Sequence, residues 1–443
     1  MTQHDSAQQR FETRQIHAGA QPDPVTKAVV TPIYQTTAYV FDSAEHAANL
    51  FSLAEPGNIY TRIMNPTTAV LEERIASLEG GSGALALASG QAATTFAILN
   101  LAKAGDHIVS SASIYGGTVN LFQYTLARLG IEVTFIEDQN DPEAWRQAIR
   151  PETKAFFAET IGNPAVNLFD ISTIAEVAHA DGIPLIVDNT VATPFLIRPL
   201  EHGADIVVHS ATKFLGGHGS VMAGAIVDGG RFPWAQHADR HPGLTEPDAS
   251  YDGLSYTGAL GDQLAFITKA RVQLLRDLGS SLAPASAWQI IQGIETLSLR
   301  MERHSQNAAE LAAWLEARPE IARVNYATLD SSPWKPLADR YAPLGVGAVL
   351  SFELKGGQDA GRRLAESLEI FRHLVNIGDV RSLVCHPAST THAQLTPEQQ
   401  LAGGITPGLI RLSVGLEHVE DLKADLDRAI RIATSPAGED QGE

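Results

Sequence analysis

One cysteine, Cys385, stands among 443 residues. That excludes an intramolecular disulfide framework and suits a reducing compartment. Positive charge is also scarce: 32 Lys and Arg against 51 Asp and Glu leave a formal charge of −19. A nucleic acid or an anionic membrane as main partner needs a basic face, which this balance does not supply. A small anion is not excluded, because a few local dipoles and cations decide its binding. No apolar run approaches the roughly 20 residues of a membrane span. Met1–Arg14 is polar and lacks the apolar centre of a signal peptide, so a cytoplasmic location is expected. What is present is ordinary for a globular chain, with 44% hydrophobic residues. The length exceeds one small core and predicts two domains, or one large domain with a satellite.

Residues 1–66 carry Pro22, Pro24, Pro32, Pro56 and Pro66 with little periodicity, and read as an extended arm. Near its end Tyr60-Thr61-Arg62 reads as a solvated polar loop. From Thr67 helix and strand patterns alternate. A helix over Ala69–Glu79 is followed by a strand at Ala84–Ala88 and a helix from Ser89 to about Ala102. The series continues with strands at His107–Ser111, Val133–Ile136, Ala155–Glu159, Leu185 and Val207. Helices at Gly117–Leu129, Pro142–Ile149 and Ile171–His179 separate them, and Val221–Val227 reads as a hairpin partner. Such alternation predicts an α/β fold, a mainly parallel sheet sandwiched by helices. Residues 229–261 dissolve into Gly, Pro, His and Asp, a length that marks functional or mobile loops. Helical periodicity returns through Leu282–Leu299 and Asn307–Ala317, with short strands at Ala348–Phe352 and Leu409–Val414. The expected division is an arm over 1–66, a large domain over 67–280 and a smaller C-terminal α+β domain over 281–443, with a disordered end from Ser435.

Two apolar runs end in chemistry. Pro184–Val187 closes on Asp188, and Asp205–Val208 leads into His209-Ser210-Ala211-Thr212-Lys213. Short β-branched runs closed by polar residues read as buried strands whose ends open into a cleft. Ligands of open α/β sheets bind there. An aspartate and a lysine at neighbouring strand ends suit pyridoxal 5'-phosphate (PLP): the amine condenses with the aldehyde and the carboxylate keeps the pyridinium nitrogen protonated. Ser89-Gly90-Gln91, at a strand-to-helix junction, offers amides and a helix dipole to a phosphate, with Ser210 and Thr212 as hydroxyl donors. Tyr115 can stack on a flat ring and join proton transfer, or sit half-buried in a turn. Asn163-Pro164 reads either as a hydrogen-bond donor to a cofactor oxygen or as a turn. Arg411, inside Leu409–Val414, is costly unless paired, whether with a substrate carboxylate or with a protein one. Ser382, after Asn376-Ile377-Gly378-Asp379, is a helper by association only.

Rival readings lack support in the sequence. Ser210-Ala211-Thr212-Lys213 fits the serine–lysine spacing of penicillin-recognising enzymes, but the Ser-Asp-Asn and Lys-Thr-Gly partners are missing. The Gly81-Ser82-Gly83 match to a dinucleotide fingerprint follows a helix, the wrong context. His237 and His241 share a helical spacing in a Gly/Pro-rich stretch with no Glu between them, and no metal is expected.

Five segments then appear in order: Ser89–Ala93, Glu159–Pro164, Val187–Thr190, Ser210–Lys213 and Ser382–His392. Together they resemble the cysteine/methionine-metabolism PLP-dependent enzymes of fold type I, over about residues 10–433. The resemblance implies that Lys213 holds PLP, Asp188 faces the pyridine nitrogen and Tyr115 stacks on the ring. Gly90, Gln91, Ser210 and Thr212 would bind the phosphate, and Tyr60 and Arg62 would reach that of a neighbouring subunit. Asn163, Ser382 and Arg411 would serve the substrate carboxylate, Asn163 also lying near the cofactor's phenolic oxygen. A homotetramer built from dimers with shared sites is implied. Within the family, segment 229–261, Asn376–Asp379 and Arg381-Ser382-Leu383 resemble the O-acetylhomoserine sulfhydrylases. Asp252 departs from the histidine which that subgroup commonly carries. The implied reaction is γ-replacement on O-acetyl-L-homoserine by sulfide or a small thiol, giving L-homocysteine or L-methionine plus acetate. Cystathionine γ-synthase or methionine γ-lyase chemistry on the same scaffold is the alternative.

Overall fold

A computed structural model describes residues 9–163, 165–390 and 404–435. Seven strands form the larger sheet: β1 (Gly83–Leu87), β2 (His107–Ser111), β3 (Glu132–Ile136), β4 (Thr153–Glu159), β5 (Leu185–Asp188), β6 (Ile206–His209) and β7 (Gly224–Asp228). Their order is β1-β7-β6-β5-β4-β2-β3. Only β7 runs against its neighbours, while β6, β5, β4, β2 and β3 pair in parallel. Successive side chains point to opposite faces of a strand. Accordingly Phe156, Leu185, Val187 and Val207 enter one core, and Phe157, Ile186, Ile206 and Val208 enter another. Burial on both faces explains why these strands read as unbroken apolar runs. Each fully buried Val, Ile or Phe contributes about 1.5–3 kcal/mol.

The smaller sheet holds β8 (Ile321–Asn325), β9 (Val349–Leu354), β10 (Arg372–His373), β11 (Leu383–Cys385) and β12 (Leu409–Ser413). Its order is β10-β11-β12-β9-β8, antiparallel except for the β10–β11 pair. Helices Leu297–Glu316 and Gly357–Ser367 lie against it. Among the described residues no helix is long and apolar enough to cross a membrane.

Four expectations change. The arm is not wholly extended: it contains α1 (Phe11–His17) and α2 (Ala44–Phe51). Helices this short are marginal alone and owe their stability to tertiary contacts. Phe11 is buried against Phe195, and Gln15 exchanges hydrogen bonds with Ser298 at 3.0 and 3.1 Å. The helix expected over 117–129 is present but not uniform: an α-helix, Gly116–Asn120, runs on as a π-helical stretch, Leu121–Leu126. The segment 229–261 is folded, with short turns at Trp234–His237 and Ala249–Tyr251 and a helix opening at Tyr256. Buried Trp234, Leu244 and Tyr256 anchor it. The helix over 282–299 is two, Pro284–Ile294 and Leu297–Glu316, broken at Thr296. The expected disordered end after Ser435, together with Pro164, Thr391 and His392, lies outside the described residues.

Candidate active site

Parallel strands deliver their carboxyl ends to one edge of the sheet, and there a cavity of about 240 Å³ opens. Its lining includes Gly90, Gln91, Tyr115, Glu159, Asn163, Asp188, Ser210, Thr212, Lys213, Asn376 and Arg411. The pleat sorts neighbouring residues between this cavity and the layer behind it. Asp188 ends β5 facing the cavity, and its Oδ1 accepts from the Thr190 amide at 2.9 Å. Asn189, the next residue, turns away and donates to Glu79 Oε1 and the Ile197 carbonyl, both at 2.8 Å. At the end of β6, His209 reaches the same Glu79 oxygen at 2.7 Å, both side chains being fully buried. Removing one partner of such a buried pair costs about 3–5 kcal/mol. This network fixes the ends of β5 and β6, and with them the positions of Asp188 and Ser210.

Helix α3 (Pro66–Glu79) supplies Glu79, and α4 (Gly90–Leu99) opens at the cavity. Ser89 caps α4, its hydroxyl accepting from the Ala92 amide at 3.2 Å. The amides of Gly90 and Gln91 belong to the first turn and have no partner within the helix. Gly90 must be glycine, since a Cβ there would lie 2.6 Å from the Ser210 Cβ. The helix start thus presses directly on the end of β6 and leaves a cradle of backbone donors. Ser210 shares that cradle. Thr212 lines it too, but its hydroxyl exchanges hydrogen bonds with the Ala223 carbonyl at 3.1 Å and amide at 3.0 Å. Tyr115 is 54% exposed, its ring free to cover something flat, while its amide donates to Glu159 Oε1 at 2.6 Å.

Charges at the site are held away from their ordinary balance. Burial, and after it the neighbouring Arg411 charge, lowers the pKa of the Lys213 amine. Burial raises Asp188, with Thr190 and the His209 charge pulling it back. Its neighbour across the β4–β5 ladder, Glu159, is raised well above the carboxylate range by burial and by the Asp188 charge. Lys213 Nζ donates to Asn376 Oδ1 and has no carboxylate within ion-pair reach among the described residues. Arg411, in the middle of β12 and 7% exposed, donates to Asn163 Oδ1 at 3.1 Å and to the Asn376 carbonyl at 3.2 Å. Its Nε is buried without a partner. Both its protein acceptors are neutral, so the guanidinium retains an unmatched charge suited to a carboxylate.

Three of the sequence-derived candidates stand outside this cavity. Tyr60 and Arg62 lie together on the surface, the guanidinium 5.1 Å from the ring centroid. Ser382, expected beside the substrate carboxylate, is buried elsewhere. Its hydroxyl donates to Glu417 Oε2 and accepts from the Gly415 amide, both at 2.8 Å, which leaves it no reach into the cavity. Conversely, the sequence marks Glu159 and Asn376 only as parts of motifs. Their signal is the positions they occupy, Glu159 level with Asp188 on the adjoining strand end and Asn376 two residues before a glycine in a loop. His237 and His241 pack around Phe232, and among the described residues no three metal-ligating side chains gather.

The donor set fits a phosphorylated pyridine aldehyde. Backbone amides and a hydroxyl meet in a cradle that a Cβ at Gly90 would fill, and the same cavity holds a carboxylate with partial counter-charge and a lysine amine of lowered pKa. Known proteins agree. The family model described as Cys/Met metabolism PLP-dependent enzyme matches residues 12–431. O-acetyl-L-homoserine sulfhydrylase 1 of Thermus thermophilus is 54% identical, over 95% of this chain and 100% of the relative. The O-acetyl-L-homoserine sulfhydrylase of Leptospira meyeri is 52% identical, over 95% and 96%. A crystal structure described as an O-acetylhomoserine (thiol)-lyase from Campylobacter jejuni, with N'-pyridoxyl-lysine-5'-monophosphate, superposes with a TM-score of 0.92. It is 42% identical, over 96% of this chain and 100% of that one. With the cavity's chemistry and the length of these matches pointing the same way, the chain belongs to the Cys/Met metabolism PLP-dependent enzymes.

Proposed function

We propose that this cavity carries out γ-replacement on O-acetyl-L-homoserine, exchanging its acetoxy group for sulfide or a small thiol to give L-homocysteine or L-methionine plus acetate. The observation that carries the reading is the buried Arg411 guanidinium, which shares the cavity with Lys213 and Asp188 and has only neutral protein partners. An α-amino acid supplies the missing carboxylate. Its α-carbon then lies within the same small cavity as the Lys213 amine. PLP, held at the Gly90 and Gln91 amides and Ser210, supplies an electron sink for charge developing on carbons of a bound amino acid.

The protein's own residues do the rest. Lys213 Nζ takes the α-proton and returns it, and its lowered pKa leaves more of it neutral near pH 7 than an ordinary lysine would have. Asp188 would hold the ring nitrogen, and against the effect of burial the Thr190 hydrogen bonds and then the His209 charge favour its ionised form. Tyr115, which lines the same cavity as Lys213, would stack on the ring and could share in proton transfers, and Asn163 orients Arg411. Supplied with O-acetyl-L-homoserine, the enzyme should form homocysteine with sulfide and methionine with methanethiol. Cystathionine as the main product with cysteine, or 2-oxobutanoate without any sulfur donor, would assign it instead to synthase or lyase chemistry.

The same reading makes the protein a cytoplasmic homotetramer, with an arm over 1–66, a cofactor domain over 67–280 and a C-terminal domain over 281–443. Tyr60 and Arg62 then serve the site of a second copy. Support comes from their absence from the lining of their own cavity and from the exposed apolar arm residues Val25, Val29 and Val40. Tyr60→Phe or Arg62→Ala should weaken PLP retention, Arg62→Ala by about 10–100-fold in Kd, as a charge-assisted hydrogen bond is lost. Dialysis followed by absorbance of the retained cofactor measures this. Unchanged retention in both variants contradicts sharing.

A further inference from the structure

We propose that a second cavity, at the edge of the larger sheet away from Lys213, binds a small carboxylate with a hydrogen-bond donor on the neighbouring carbon, as in a hydroxy or amino acid. The first cavity takes the carboxyl ends of the parallel strands. This one, of about 320 Å³, opens at the amino ends of β2 and β4. Asp106, which precedes β2, and Lys154, the second residue of β4, stand in its wall. So do Asn100, just past the end of α4, and Lys269, which ends the helix Tyr256–Lys269. The short helix Pro242–Thr245 closes on that amine, a Cβ at Gly243 standing only 3.3 Å from Lys269 Nζ. Helix α4 spans 10 residues, about 15 Å, from the Gly90 cradle to this wall, so the two cavities lie at opposite ends of one helix.

The buried cation here is unmatched. Lys269 is 7% exposed, and its Nζ donates to the Asn100 carbonyl at 2.7 Å, a neutral acceptor. An ammonium has three donors, and among the described residues no carboxylate stands within ion-pair reach of this one. Burial draws its pKa down to about 8, against the Asp248 charge. Capping the end of α4 does not account for the burial, since an exposed lysine serves a helix C-terminus as well. The neighbouring carboxylates are committed elsewhere. Asp106 pairs with Lys154 at 3.6 Å and accepts from the Lys103 amide at 2.8 Å. Asp248 accepts from Ser250, Tyr256 and Gln273. Lys103 and Glu246 complete the charged groups of the wall. Asn100 supplies the second requirement. It is 1% exposed, and its Nδ2 donates to the Phe266 carbonyl at 2.8 Å, while its Oδ1 is buried without a partner. Such an acceptor left unmade costs about 1–3 kcal/mol. A carboxylate on Lys269 with an O–H or N–H beside it satisfies both groups at once.

Acetylation of the holoenzyme by acetic anhydride, resolved lysine by lysine with peptide mass spectrometry, tests this at about pH 8, where much of the Lys269 amine is neutral. Glycolate or N,N-dimethylglycine at roughly 10 mM should slow acetylation of Lys269 about tenfold, as for a Kd of about 1 mM. Exposed Lys355 should react at an unchanged rate. The two probes separate a hydroxy from an amino source. Acetate, which has no donor for Asn100, should bind about fivefold more weakly, the worth of one hydrogen bond. Protection should persist in Arg411→Ala, which silences the carboxylate site of the first cavity, and weaken in Gly243→Ala, where a methyl group crowds Nζ. Should Lys269 resist the reagent, calorimetric titration of the Arg411→Ala holoenzyme with the same carboxylates decides: binding heat that a further Lys269→Met change abolishes supports the site, and absence of heat overturns it. Acetylation of Lys269 at one rate with and without every carboxylate would leave the residue a helix cap and overturn the proposal. Protection that disappears in Arg411→Ala would do the same, by placing the ligand in the first cavity. Equal protection by acetate would overturn the donor requirement.

Discussion

Lys213→Ala should give a colourless protein whose kcat is lower by at least about 10²–10⁴-fold, the range for removing a general acid–base group. The wild type should be yellow from lysine-linked cofactor, and absorbance spectra of the two proteins at equal concentration measure the loss. The variant should fold. Lys213 Nζ makes one hydrogen bond, to Asn376, and no ion pair among the described residues, so truncation orphans no buried charge. Added PLP should still bind, more weakly, because Gly90, Gln91 and Ser210 are untouched. This separates loss of chemistry from loss of the site. A variant that stays yellow and fully active would remove Lys213 from its assigned role and leave the cavity without a base.

The pH response of the wild type follows from the same amine. Burial and the Arg411 charge both disfavour its protonated form. The base is the neutral form, so activity is lost as pH falls through the amine's pKa. That loss should occur below the pH at which an unperturbed lysine would lose its neutral form.

Asp188 and Lys213 were legible in the sequence because strand ends of a parallel sheet are written locally. An apolar β-branched run needs burial on both faces, and the first polar residues beyond it must lie at the sheet's edge. The strand over His107–Ser111 was read residue for residue for the same reason. The short helix α1 was not legible, since its stability comes from partners as distant as Ser298. The contact of Asn376 with Lys213 was not legible for a related reason: 163 residues separate the two, and an asparagine in a loop reads first as a turn residue. Ser382 was misassigned because position within a motif says nothing about which way a hydroxyl points, and Glu417 claims it. Local chemistry of the larger sheet is therefore readable, whereas contacts between it and the smaller sheet require the fold.

Arg411→Ala tests that junction most directly. The guanidinium is buried, its two hydrogen-bonded acceptors are neutral, and its Nε has none. In the free enzyme its removal leaves an amide oxygen and a carbonyl facing a cavity that water can enter, a loss of about 1 kcal/mol in stability. In the complex the same change strips a buried carboxylate of its counter-ion, which costs about 2–5 kcal/mol. The expected result is a kcat/KM for O-acetyl-L-homoserine lower by about 30–4000-fold, expressed mainly in KM, with a thermal midpoint near that of the wild type. Arg411→Lys should recover only part, because an ammonium restores the charge without the planar fork. The lysine opposite reports independently. Without the Arg411 charge the pKa of Lys213 rises, so the acid limb of kcat/KM should move to higher pH in Arg411→Ala and remain nearer its place in Arg411→Lys. A collapse of the thermal midpoint with unchanged KM in the surviving protein would show that Arg411 is a structural cation, and the substrate carboxylate would need another partner. The arithmetic favours the first outcome, because a structural cation in so dry a position would have been given a protein carboxylate.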